Sequence, residues 1–223
     1  MSYRHNIVRK PWGHEYLAYE NDECALWFLH IKNNERTSMH CHPNKTTGLV
    51  LLDGKATVSF LNDENPLNPI SKIMIRKGLF HSTTACHEKG AFVFEIETPV
   101  DKEDLVRLRD NYGREGTPYE DSTHEYSKEN EAALWIENPA PGESNTYSFC
   151  NARLEVRNIT SVDDLRDIQP STNVIFLQGG ITTDYGVAVA AAADVITGKV
   201  IKLLLEVFDK VKDDTIIMIM ERE

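Results

Sequence analysis

From Glu15 to about Pro99 the chain is a train of short apolar runs broken by turn chemistry. The runs are "EYLAYE", "CALWFLHI", "TGLVLLD", "KATVSFL", "SKIMIRK" and "AFVFEIET". The breaks are "NDE", "KNNE", "DG", "NDENPLNP" and "HEKG", rich in the residues that favour turns. Runs this short suit strands rather than helices. Many short strands without a long helix between them predict an antiparallel sandwich or barrel. Asp53-Gly54 between two apolar runs reads as a hairpin turn, since glycine tolerates the positive φ that a two-residue turn needs.

The 223 residues suffice for one large domain, or for a domain with a smaller companion. "DKEDLVRLRDNYGR", 101–114, reads as a short helix-like tail to the barrel. Residues 115–145 are polar, acidic and punctuated by Gly and Pro, as in an acidic connector, with helical character at "SKENEAALW". Residues 146–223 read as a small β-rich or α+β domain. In it "ARLEVRNI", "TNVIFLQGGI" and "DTIIMIM" are strands, and "SVDDLRDI" carries a helix-start signal. In "KVIKLLLEVFDKV", Ile201, Leu204, Leu205 and Phe208 share one helical face. The rhythm of "LQGGITTDYGVAVAAAADVI" leaves two readings open, a degenerate second barrel or an unrelated packing domain. The expected division is therefore 1–114, 115–145 and 146–223.

Charge divides the chain the same way. Residues 1–114 balance, so the whole formal charge of −11 lies in 115–223, and no histidine follows His124. No basic stripe offsets that repulsion, which argues against a nucleic-acid partner. No apolar run approaches the roughly 20 residues of a membrane span, and "MSYRHNIVRKPWG" has no signal-peptide core. The four cysteines form no CxxC pair. Free thiols and a cytoplasmic location are expected.

In "SMHCHPNKTTGLVLLDG", two histidines lie two residues apart. Side chains alternate along a strand, so Arg36, Ser38, His40 and His42 would share one face. Two imidazoles so placed can grip one ion, with a third ligand from another strand. His81 in "RKGLFHSTT" is the best candidate, because it follows a Gly turn after an apolar strand. A Cys/His zinc cluster is not expected, since the cysteines lack short paired spacing. Along "AFVFEIET", Glu95 and Glu97 alternate with Phe94 and Ile96 and so share a face.

These segments resemble a known family. "MHCHPNKTTGLVLLDG" is similar to the first cupin motif, H-x-H followed by Glu and later Gly, and "IRKGLFH" to the second, where a Gly shortly precedes the third His. More narrowly, the front half resembles the cupin domain of type II mannose-6-phosphate isomerases. That family carries a "PWG", here Pro11-Trp12-Gly13, and closes on an "EDxVRxxDxYGR" run, here within "EIETPVDKEDLVRLRDNYGR", Glu95 to Arg114. The resemblance spans roughly 9–114 and implies a mainly β fold, a cupin (double-stranded β-helix or jelly-roll) barrel, with the rest appended.

The departures are specific. The family's Glu ligand would fall at Thr46 or Thr47, and its Pro before the Gly is Lys77. What remains is His40, His42 and His81, which can hold Zn, Mn, Ni or Fe as a weakly bound divalent ion. An aldose–ketose isomerase needs such an ion and a general base, and Glu95 or Glu97 can serve as base or as the missing ligand if their face lines the barrel. Arg36, Lys45, Arg76, Lys77, Arg107 and Arg114 are candidate contacts for an anionic sugar, with Trp12 as a stacking surface. Three readings follow: a metal-dependent isomerase or epimerase-like enzyme on a sugar phosphate or nucleotide sugar, a three-histidine iron oxygenase, and a non-catalytic sugar-binding or regulatory protein. A homodimer is the expected assembly.

Overall fold

A computed structural model describes residues 6–116, 124–125 and 133–223. Part of the expected connector, including most of "SKENEAALW", lies outside the described residues. The chain forms two compact units. One comprises Met1–Glu20 with Ala25–Trp135, and the other Asn21–Cys24 with Ile136–Glu223. Both are built mainly of antiparallel strands. No helix among the described residues is long and apolar enough to cross a membrane, and all four cysteines are free.

The first unit contains β1 (Ile7–Lys10), β2 (Gly13–Glu20), β3 (Ala25–Ile31), β4 (Met39–Cys41), β5 (Thr46–Gly54) and β6 (Ala56–Ser59). They are followed by β7 (Glu64–Leu67), β8 (Lys72–Ile75), β9 (Ser82–Ala85), β10 (Ala91–Thr98), β11 (Val106–Arg109) and β12 (His124–Glu125). A seven-stranded sheet runs β12-β1-β2-β3-β10-β5-β8, a three-stranded sheet β7-β6-β9, and a two-stranded ribbon pairs β11 with β4. Alternation does the sorting. Trp27, Leu29 and Ile31 of β3, Leu49 and Leu51 of β5 and Ala91 and Val93 of β10 turn to one side. There they share one core with Ala56 and Val58 of β6, Leu67 of β7 and Ala85 of β9. Both sheets thus bury one face against the same interior, as a jelly-roll does. The opposite face of the large sheet is also closed. Phe28 packs edge-on to Phe94 and beside Tyr16, Tyr16 meets Trp135, and the Tyr16 hydroxyl accepts from the Leu134 amide at 3.0 Å.

Two local expectations are corrected. Asp53-Gly54 does not join a hairpin: β5 pairs with β10 and β8, whereas β6 pairs with β7 and β9. The chain changes sheets there. Gly54 has φ +84°, and a Cβ on it would stand 2.1 Å from the Gly90 carbonyl oxygen, so the corner demands glycine twice over. "DKEDLVRLRDNYGR" is not a helix. Its centre is β11, paired to β4 in the register Arg107 with His40 and Arg109 with Met39.

The second unit contains β13 (Ser144–Phe149), β14 (Ala152–Ile159), β15 (Asn173–Gln178), β16 (Gly180–Thr182), β17 (Ala188–Ala191), β18 (Val195–Thr197), β19 (Lys210–Val211) and β20 (Thr215–Arg222). Its sheets run β13-β14-β20-β15-β18 and β17-β16-β19. The buried "TIIMIM" run is the central strand β20. "SVDDL" makes a single 3-10 turn closed by a reciprocal cap: Ser161 Oγ accepts from the Asp163 amide at 3.0 Å, and the Asp164 carboxylate accepts from the Ser161 amide at 3.0 Å. The helix α1 (Gly198–Leu204) is shorter than the sequence pattern, but Leu204, Leu205 and Phe208 still pack on this unit's core beside Ile201.

The corner at Gly54 gives a direct test. Gly54→Ala should destabilise the protein by more than about 1 kcal/mol, because alanine meets both the disfavoured φ and the Gly90 carbonyl. Thermal unfolding checks it. A melting temperature equal to that of the wild type would mean the corner has room to relax.

Candidate metal centre

The inward face of β10 begins with Ala91 and Val93 and then carries Glu95 and Glu97. The apolar core therefore ends where those carboxylates begin, and a cavity of about 60 Å³ opens beside them. His40 reaches it from β4 and His42 from the residue after β4. His81 stands opposite His40, joined by reciprocal backbone hydrogen bonds of 3.0 and 2.8 Å. The ligand atoms of His40, His42, His81 and Glu95 all lie within 4.8 Å of one another.

Each imidazole is oriented by a backbone carbonyl at its Nδ1. Ser38 O lies 2.8 Å from His40, Asp104 O 2.6 Å from His42 and Leu79 O 3.0 Å from His81. A carbonyl can only accept, so each Nδ1 carries the proton and each Nε2 keeps its lone pair. Burial, followed by His81 and His42, holds His40 well below the ordinary imidazole value. Burial brings His81 down to about 4 and, with Lys45, also lowers His42. All three rings are thus neutral at physiological pH. His42 Nε2 is buried without a hydrogen-bond partner among the described residues, and its nearest carboxylate oxygen, on Glu95, is 3.9 Å away. Three imidazole lone pairs brought this close, that of His42 fully shielded from water, repel one another unless a cation lies between them. Three imidazoles and a carboxylate are also the donor set that Zn²⁺, Mn²⁺, Ni²⁺ and Fe²⁺ accept. The residues therefore fit a divalent metal ion.

Thr47, one of the two positions at which the resembled family's Glu would fall, pairs across the sheet with Glu97 and is buried with no partner for its hydroxyl. The carboxylates instead come from the neighbouring strand. Burial and then Glu97 push Glu95 up to about 8. Burial alone would raise Glu97 as well, but Lys102 and Lys45 hold it below the usual range. Lys45 Nζ donates to Glu97 at 2.8 Å, in a pair almost wholly removed from water. Lys102 lies 3.4 Å above the Trp27 ring and 3.3 Å from Glu15, which also faces Lys10 at 3.7 Å.

Of the sequence candidates, Trp12, Lys45, Glu95, Glu97, Arg107 and Arg114 line this cavity together with His40 and His42, and His81 completes the cluster. Arg76 and Lys77 are exposed on the turn before His81, and Arg36 opens on a different hollow. Lys10, Glu15 and Lys102 belong to the site but were not singled out from sequence. A lone charge between apolar residues carries no mark of burial. Asp104 was missed too, although it organises the site. Its carboxylate accepts from the Asn44 and Lys45 amides at 2.9 and 3.0 Å and from the Asn44 side chain at 2.9 Å, and its carbonyl orients His42.

No family model matches the chain, and no curated protein matches it. Solved structures do. KdgF from Halomonas sp. is 12% identical at a TM-score of 0.40, the match covering 45% of this chain and 94% of that one. A double-stranded β-helix protein from Klebsiella pneumoniae is 11% identical at 0.40, covering 49% and 85%. A sugar phosphate isomerase of the cupin superfamily from Silicibacter pomeroyi is 11% identical at 0.37, covering 39% of this chain and 59% of its own length. The neighbours are cupin and double-stranded β-helix proteins, and each match spans less than half of this chain.

Two outcomes follow from the site. Asp104→Ala keeps the carbonyl facing His42 but removes the carboxylate that holds the Asn44 and Lys45 amides, and should lower affinity for Zn²⁺ or Co²⁺ by about 10–100-fold, as loss of outer support for a ligand does, with circular dichroism unchanged. Undiminished affinity in a chelator competition would show that the 42–45 loop holds itself. The second concerns pH. Asp110 accepts from Arg114 at 2.7 and 3.1 Å through the guanidinium and at 2.9 Å through the amide. Burial opposes ionisation there, yet these bonds keep the carboxyl below its ordinary value. Its stabilisation is present above the unfolded value of about 3.9 and is lost as pH falls through the lower folded one. The urea midpoint of the wild type should therefore exceed that of Asp110→Asn at about pH 6, with the gap starting to close as pH falls below about 4. A gap that stays constant with pH would assign the bonds no titrating role.

Proposed function

We propose that the first unit binds one divalent ion, Zn, Mn, Ni or Fe, through His40, His42, His81 and Glu95 and acts as an isomerase on a small sugar phosphate. The observation that carries this reading is the convergence of three neutral Nε2 atoms and Glu95 beside the buried Glu97–Lys45 pair. When bound, the ion supplies Lewis-acid polarisation of a carbonyl or hydroxyl oxygen.

The chain's own groups would do the rest. Glu97, kept anionic by Lys45 and Lys102, is the base that takes the proton from one sugar carbon and returns it to the next. Lys102, Arg107 and Arg114 supply positive charge for the phosphate, and Trp12 forms an apolar wall. The cavity of about 60 Å³ is far smaller than the roughly 300–1,000 Å³ of a pocket that encloses a whole ligand. Only the reacting end of the sugar would enter, with the phosphate held at the mouth. Segments carrying the isomerase resemblance meet here: Trp12 from "PWG", and Arg107 and Arg114 from "VRLRDNYGR". Glu95 beside the three histidines favours this reading over the bare-triad oxygenase.

The test is turnover by the metal-loaded full chain supplied with mannose 6-phosphate or fructose 6-phosphate. Interconversion is expected. Glu97→Gln should cut kcat by about 10²–10⁴-fold with metal content retained. Saturable binding without turnover would make the protein a binder, and the absence of both binding and turnover would overturn the reading.

A further inference from the structure

The β4–β11 ribbon has two working faces. His40 and Arg107, paired across it, line the metal cavity. Met39 and Arg109, the next pair, line a second hollow of about 540 Å³, which shares only Thr37 with the metal cavity. The register slips between Arg107 and Arg109, so Leu108 and Arg109 both open on this second hollow. Phe60 and Leu61 also line it. Arg36 lies within it and also lines an adjoining hollow of about 380 Å³, with Ser59, Glu64 and Asn111 common to both.

Arg36 is half-buried, and its Nε is fully shielded from water without a hydrogen-bond partner. Among the described residues neither Arg36 nor Arg109 makes a side-chain hydrogen bond or ion pair. In a chain with 35 acidic and 24 basic residues, carboxylates are abundant; Glu64 even lines the hollow, where it accepts from Ser59 Oγ at 3.3 Å, yet none pairs with these two guanidiniums. Arg109 is exposed, but the desolvated Arg36 Nε–H without an acceptor is costly, and an oxyanion is the partner whose geometry a guanidinium matches bidentately. The other walls suit a polyol, with Ser59, Asn62 and Asn111 for hydroxyl groups and Phe60 and Leu108 for the carbon face.

We infer that this hollow is a second binding site, distinct from the metal cavity, for the phosphate monoester of a small polyol, held by Arg36 and Arg109. Its volume lies within the range of small-molecule pockets, unlike that of the metal cavity. The inference does not depend on the proposed isomerase activity, because no residue credited with catalysis lines the hollow.

Calorimetric titration of the metal-stripped full chain with fructose 6-phosphate and with inorganic phosphate tests it. Saturable binding of fructose 6-phosphate is expected, weakened about tenfold or more by Arg36→Gln or Arg109→Gln, as for loss of a charge-assisted contact. Arg36→Lys should keep part of the affinity, and exposed Lys55→Gln all of it. Thermal unfolding monitors the fold, and should Arg36→Gln not fold, Arg109→Gln and Arg36→Lys still decide. No saturable binding by the wild type up to about 10 mM would overturn the inference. So would affinity lost in Arg107→Gln but kept in the Arg36 and Arg109 variants, which would place the phosphate in the metal cavity.

Discussion

The inward face of β10 runs out of hydrophobic residues half-way along, and the site depends on that. Ala91 and Val93 help seal the core, and two positions further on the same face carries Glu95 and Glu97. Carboxylates in the interior are costly unless paired and hydrogen-bonded. The chain answers with Lys45 against Glu97, Lys102 against Trp27 and Glu15, and the three histidines facing Glu95. These partners come from loops and strand ends, while the carboxylates sit mid-sheet, where backbone pairing on both sides holds β10. A rigid strand thus presents the anions, and shorter segments bring up the cations and imidazoles.

Much of this is visible in the sequence, because alternation is a hard constraint. The histidine spacing, the shared face of Glu95 and Glu97 and the train of short strands all follow from a two-residue period. What a period cannot report is which sheet a strand joins. "LLDGKATV" has the composition of a hairpin, yet Gly54 serves a corner between two sheets, set by the approach of the Gly90 carbonyl. "LVRLR" suits a helix turn as well as a strand, and the neighbouring β4, too short to hold itself, decides for the strand.

Charged residues were the least legible. Lys10, Glu15 and Lys102 resemble surface residues in sequence, and only the fold reveals that they neutralise one another indoors. Arg36 shares sequence parity with His40 and His42, so alternation groups it with them. The irregular stretch before β4 breaks that parity, and Arg36 opens on the other side of the ribbon. Parity holds only while the backbone stays extended.

The run from Glu103 to Arg114 shows how a segment with little regular structure can govern a site. Asp104 gathers the amides of Asn44 and Lys45 and turns its own carbonyl to His42, so one residue places a ligand and the cation that pairs with Glu97. Two residues on, β11 begins and sets Arg107 against His40. Asp110 then clamps Arg114 and accepts from the Tyr112 amide at 3.0 Å, while the Tyr112 hydroxyl donates to Glu35, just ahead of the histidine segment. Of the acids in the run, Asp104 binds backbone amides near the site and Asp110 an arginine that lines it. The spacing of these acids, rather than the strand between them, is what ties the run to the cavity. Exchanging Asp104 or Asp110 for another polar residue would preserve the composition and lose the placement.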